Sequence, residues 1–231
     1  MIMIYLVVCA MKEEKDAFLK LFDSQIETTG NISHLCINDG NDEIYCMLGG
    51  IGKVSMAYML GSILNTRHFD LIINVGVAGT INGRLKPFTT LIADRCAYHD
   101  VDVTAFGYTY GQMCQCPLYF ESDQKAVKLG LESRIEELAT GLILSGDSFM
   151  TKENTNLQML DGFEGPVAVD MESTAIAQVS YLAKIPFVII RSISDDASND
   201  EGNKNQYEDN LDKASGRAAS VVKYIVSNYS R

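Results

Sequence analysis

The chain has 231 residues, 47% of them apolar, and a formal net charge of −11. That length and apolar content suit one large α/β domain, residues 1–231, with a substantial core and no linker, repeat or low-complexity stretch. The acidic balance argues against partners held through phosphates or anionic headgroups, so nucleic acid and membrane surfaces are set aside and a small neutral or cationic ligand remains.

Residues 1–11 are apolar, follow no basic leader and run straight into Lys12-Glu13-Glu14-Lys15, which predicts a buried first strand (2–9) in place of a signal peptide or membrane span. A helix over 12–22 follows, then strands 32–37 and 43–48 around a turn at Asn38-Asp39-Gly40-Asn41. Gly49-Gly50-Ile51-Gly52 breaks the chain before a helix at 54–64. Residues 70–75 form a continuous apolar strand, as in a sheet covered on both faces, and lead into a glycine-bearing loop at 76–79 and an Asn82-Gly83 turn. The remaining expectations are a strand at 88–98, a helix at 123–138, strands at 141–145, 166–169 and 186–192, and helices at 172–183 and 207–229. Strands alternating with helices predict a layered α/β domain around a mostly parallel sheet.

The six cysteines are scattered, mostly in apolar runs. Cys114-Gln115-Cys116 is the single close pair, and no second pair or histidine cluster completes a zinc site, which predicts a reducing, cytoplasmic compartment.

Three acids fall where strands end: Glu14, Glu172 and Asp195. Ligands of open α/β sheets sit beyond the carboxyl ends of strands, so the three could share a pocket. Each also has a local reading. Glu172, in Val169-Asp170-Met171-Glu172-Ser173, could simply start a helix, where the dipole favours an anion, with Met171 as core. Asp195, in Arg191-Ser192-Ile193-Ser194-Asp195-Asp196, could close an Asx or Ser turn, or it could be an acid kept protonated by burial. Gly49-Gly50-Ile51-Gly52-Lys53 fails the Walker pattern, because Val54 follows the lysine, and the dinucleotide pattern, because Ser55 stands where its third glycine would be. It reads as a tight turn or as close backbone approach to a ligand. Residues 98–120 carry six of the twenty aromatics with no regular period, which points to a ligand lid or a subunit contact.

Taken together, the segments Ala10-Met11-Lys12-Glu13-Glu14, Gly50-Ile51-Gly52-Lys53-Val54, Ile73-Asn74-Val75-Gly76-Val77-Ala78-Gly79, Tyr98-His99-Asp100-Val101-Asp102-Val103-Thr104-Ala105-Phe106-Gly107-Tyr108, Ser145-Gly146-Asp147-Ser148-Phe149, Asp170-Met171-Glu172 and Arg191-Ser192-Ile193-Ser194-Asp195 resemble, in order and over nearly the whole chain, the 5′-methylthioadenosine/S-adenosylhomocysteine nucleosidases of the purine nucleoside phosphorylase superfamily. The resemblance implies a three-layer α/β/α sandwich around a mixed, mostly parallel sheet, a homodimer, and no metal or other cofactor. It implies that Glu14 is the base for the attacking water and Asp195 the acid for adenine N7. Glu172 binds the ribose hydroxyls, with Met171 under the sugar. Phe149 stacks on adenine and the Met150 backbone reads its edge. Val77, Ala78 and Gly79 line the site, Arg191 and Ser194 support the pocket, Ile51 lines the 5′-substituent, and Val103 and Phe106 reach that substituent across the dimer. Three departures stand out: Val77 where Ser or Thr is frequent, Lys86-Pro87-Phe88-Thr89-Thr90 before a strand, and Cys114 where proline is frequent.

A phosphate-dependent phosphorylase would need a cationic phosphate site, and Arg84 is the nearest arginine to the glycine loops. Hydrolysis of a futalosine-type substrate and non-catalytic nucleoside binding are the other readings.

Overall fold

The computed structural model describes residues 2–154, 160, 162–199 and 202–230. In chain order the elements are β1 (Ile4–Cys9), α1 (Lys12–Leu19), β2 (Glu27–Thr29), β3 (Ile32–Ile37), β4 (Asp42–Leu48), α2 (Lys53–Leu64), β5 (Leu71–Thr80), β6 (Thr90–Tyr98), β7 (Phe120–Glu121), α3 (Gln124–Glu132), β8 (Leu138–Ser145), β9 (Pro166–Asp170), α4 (Ser173–Ala183), β10 (Phe187–Asp196) and α5 (Asn203–Asn228).

The central strands are apolar enough to be covered on both faces, and they are. Along β1, Tyr5, Val7 and Cys9 pack with Phe18 of α1, Val127 of α3 and Val222 of α5. Leu6 and Val8, of opposite pleat, pack with Met56 and Leu60 of α2 and Ile176 of α4. Every residue of β5 is buried.

The sheet is mixed. Its two longest ladders, β5–β10 and β6–β8, are parallel, as is β1–β4; β3–β4 and β6–β10 are antiparallel. One path, β5–β10–β6–β8–β9, returns to β5 through the pairs Gly79↔Val169 and Thr80↔Ala168 and so closes five strands into a ring. The flat-layer expectation has no such closure; it arises because β5 and β10 are both ten residues long and curl far enough to meet other partners at their ends. At that junction the carboxyl ends of β5, β9 and β10 lie side by side, with Asp195 opposite Gly79 across a register shift.

Several boundaries differ from the sequence expectation. The helix expected at 123–138 ends at Glu132, because Arg134 and Glu137 take positive φ (58° and 57°), and β8 starts at Leu138. The loop expected at 76–79 is the end of β5, its glycines paired to β10. β10 runs on to Asp196, and α5 starts at Asn203, one turn before Tyr207. The first helix ends at Leu19, three residues short of Phe22.

Candidate active site

A cavity of about 280 Å³ opens at the junction of β5, β9 and β10. Glu14, Glu172 and Asp195 all line it, together with Ile51, Val77, Ala78, Gly79, Phe149, Met171, Arg191 and Ser194. A smaller adjoining recess includes Met150, Phe149, Gly79 and Asp195.

Glu14 is placed by the start of α1. Its Oε2 accepts the N–H groups of Ala10 (2.9 Å) and of the N-cap Met11 (3.0 Å), the latter an amide that the helix leaves without a partner. Its Oε1 accepts the Val77 N–H at 3.1 Å. Main-chain contact therefore fixes Glu14 at Val77, where a hydroxyl side chain is missing. Burial pushes the Glu14 carboxyl above its ordinary value, against the opposing pull of Arg191 and the three amides.

Glu172 occupies the N-cap position of α4, yet its side chain bonds no amide of that helix. Asp170 takes that role, accepting the Ser173 N–H at 3.2 Å. Glu172 is thereby free to face the cavity, where Oε1 accepts the Gly52 N–H at 2.8 Å. Burial raises its pKa to about 7; Arg191 opposes this, and the neighbouring Asp170 and Glu14 charges add to it.

Asp195 is likewise released from local capping. Asp196 makes the turn, accepting the Ser198 N–H at 2.9 Å. Asp195 Oδ1 accepts the Ser194 hydroxyl at 2.7 Å and Oδ2 faces the Asn203 amide at 3.4 Å. Burial again drives the carboxyl upward, and these two hydrogen bonds only partly offset it.

Arg191 ties the cluster together from the floor. Fully buried, it meets Asp170 at 2.7 Å, Glu172 at 3.4 Å and Glu14 at 3.5 Å, and donates to the Val77 carbonyl at 3.2 Å. One guanidinium among three carboxylates leaves an excess of negative charge, which favours protonation at Glu172 and Glu14 and would stabilise a cation in the cavity.

Val103 and Phe106 are not brought to this cavity; Val103 packs on the core edge and Phe106 is 80% exposed. Cys114 is also exposed and away from it. Arg84 lies outside the lining too, donating to the Pro166 carbonyl at 3.0 Å. Residues without an assigned role in the sequence reading also line the cavity: Ala10, Met11, Val169, Asp170 and Tyr207. The Tyr207 ring meets Phe149 edge-on at 5.6 Å and its hydroxyl reaches the Met11 sulfur at 3.0 Å. An aromatic near the start of the last helix was the only sequence signal for it.

The sequence profile of the phosphorylase superfamily matches residues 4–227. The 5′-methylthioadenosine/S-adenosylhomocysteine nucleosidase of Staphylococcus saprophyticus is 35% identical, covering 95% of this chain and 97% of its own. The enzyme of the same name from Buchnera aphidicola is 37% identical, covering 89% of this chain and 88% of its own. The chain belongs to the phosphorylase superfamily, on its methylthioadenosine/S-adenosylhomocysteine nucleosidase branch. A nucleosidase structure from Streptococcus pneumoniae, solved with a transition-state inhibitor, superposes with a TM-score of 0.88 at 33% identity, covering 98% of this chain and all (100%) of that one. The nucleoside phosphorylase-like α/β fold is thus shared with nucleosidases of this branch. In this member of the superfamily, the guanidinium lining the cavity is already held by three carboxylates, and a phosphate entering there would meet Glu14.

Proposed function

We propose that this protein hydrolyses the N-glycosidic bond of 5′-methylthioadenosine and S-adenosylhomocysteine, releasing adenine and a thioribose. The observation that carries the reading is the shared cavity: three acids from distant parts of the chain face one space of nucleoside dimensions. Cleavage passes through an oxocarbenium-like sugar and needs help at both ends. Asp195, raised by burial, donates its proton to the adenine ring nitrogen and makes the base a leaving group. Glu172, as an anion, holds the ribose hydroxyls and favours positive charge on the ring. Glu14, buried and raised, accepts the proton of the attacking water.

Phe149, which lines both the main cavity and the recess, is the stacking face for adenine, and Met150 offers its backbone edge. Met171 lies under the sugar and Ile51 beside the 5′-substituent. The exposed apolar groups Ile51, Val54, Tyr58 and Phe106 support a homodimer in which Val103 and Phe106 complete the 5′ subsite of the partner. The two helix groups on opposite sheet faces support the α/β/α layering, around a sheet that also closes over five strands. Free cysteines, including the buried pair Cys9 and Cys46 with sulfurs 3.9 Å apart, support a cytoplasmic setting. No helix among the described residues is long and apolar enough to cross a membrane.

The test is adenine release from methylthioadenosine in phosphate-free buffer. Turnover independent of phosphate supports hydrolysis; a requirement for phosphate identifies a phosphorylase; binding without turnover identifies a nucleoside-binding protein. A parallel assay with a futalosine-type substrate separates the remaining hydrolase reading.

A further inference from the structure

Lys53 lies outside the cavity lining, yet it ties together the two loops that line it through Ile51 and Phe149, by way of a third loop at Asp100. Its main-chain N–H donates to Asp147 Oδ1 at 2.8 Å, and its ammonium bonds Asp100 Oδ2 at 2.6 Å. The same Asp100 oxygen accepts the Asp147 N–H at 3.0 Å. Asp147 stands two residues before Phe149, and Lys53 follows Gly52, whose N–H is bonded to Glu172. Gly52 sits at φ +88°, and a Cβ there would come within 3.1 Å of Asp147 Oδ1. The glycine therefore serves the fit of these loops as well as the aim of its amide.

We infer that Lys53 is a positioning residue for the hydrolysis, acting through the Lys53–Asp100–Asp147 clamp to hold the Gly52 N–H on the Glu172 carboxylate. The inference rests on the nucleosidase reading. The Gly52 bond favours the ionised form of Glu172, and the clamp is what keeps that amide from swinging with its loop. The charged and titratable groups acting on Glu172 are Arg191 of β10, Asp170 of β9, Glu14 of α1 and Tyr207 of α5. None of them belongs to the clamp, so loosening it changes the pull of Gly52 and leaves theirs in place.

The experiment compares pH profiles of kcat/KM for methylthioadenosine in the wild-type protein and in Lys53→Met, Lys53→Arg and Glu172→Gln/Lys53→Met. Outright loss of one hydrogen bond to a charged group would move the acid limb upward by about 1–2 pH units, and its loosening in Lys53→Met is expected to move it by about 0.5–1 unit. Lys53→Arg restores the limb, and Glu172→Gln/Lys53→Met shows the same profile as Glu172→Gln alone. An unmoved limb in Lys53→Met, or a shift that persists without Glu172, overturns the inference. If Lys53→Met does not fold, Asp100→Asn removes the same ion pair from the other side and is judged by the same limb. Absence of turnover in the wild-type protein would instead overturn the nucleosidase reading, so the two failures are distinct.

Discussion

Glu14 and Arg191 face each other 3.5 Å apart across Gly76, a backbone position with no room for a side chain. A Cβ on Gly76 would lie 2.2 Å from Glu14 Oε1 and 2.2 Å from Arg191 Nη1. Glycine at this point of β5 is what lets an acid from α1 and a base from β10 meet over the strand.

Gly76→Ala should therefore displace Glu14 from the Val77 amide. We expect turnover to fall at least roughly a hundredfold, with a stability loss of about 1–3 kcal/mol from overpacking. Wild-type turnover in a folded Gly76→Ala protein would show that the contact is not needed.

Glu14→Gln and Asp195→Asn keep side-chain shape and remove the proton chemistry. Each should lower kcat by at least roughly a hundredfold in a protein that still folds. A rate within a few fold of wild type in either variant would remove that residue from its role.

The pH profile should be bell-shaped. Glu172, raised to about 7, is protonated below that value and loses its grip on the sugar hydroxyls as an anion. Glu14, also raised, gains its proton in the same direction and stops accepting one from water. The rate therefore falls toward acid pH. Asp195 works while protonated, so activity is lost as the pH rises through the value to which burial has lifted its carboxyl. Measuring kcat/KM from pH 5 to 9 in wild type and Glu172→Gln checks the assignment: the variant should lose the part of the acid limb that Glu172 sets, near about 7, and keep the part that Glu14 sets. A flat wild-type profile would contradict the opposed protonation states.

Arg191→Met leaves Asp170, Glu172 and Glu14 without their shared counter-charge. Breaking a buried ion cluster from one side costs about 3–5 kcal/mol, a fall in melting temperature on the order of 10 °C for a chain of this size. An unchanged melting curve at pH 7 would mean that the carboxylates are not ionised in the folded protein.

Phe106→Ala tests the subunit proposal. The ring is 80% exposed, so the variant should keep its melting temperature and weaken methylthioadenosine binding, seen as a raised KM. Sedimentation of the wild type as a monomer would rule out a partner's contribution.

The residues alone determined the apolar starts of β5 and β10, because residues 71–73 and 187–190 put apolar side chains on both faces and leave no alternative to burial. They determined, too, that Glu14, Glu172 and Asp195 stand near strand ends, because acids at such positions follow directly from the apolar pattern. Tertiary structure decided what those acids do. Whether Glu172 caps a helix or faces a cavity depends on Asp170 taking the cap first, and whether Asp195 closes a turn depends on Asp196 doing so. The strand character of Gly76 and Gly79 was hidden because a glycine carries no β signal of its own; it shows only once β10 pairs with it. Tyr207 and the closure of the five strands were out of reach for the same reason. Both arise from contacts between residues far apart in the chain, and local pattern carries no record of them.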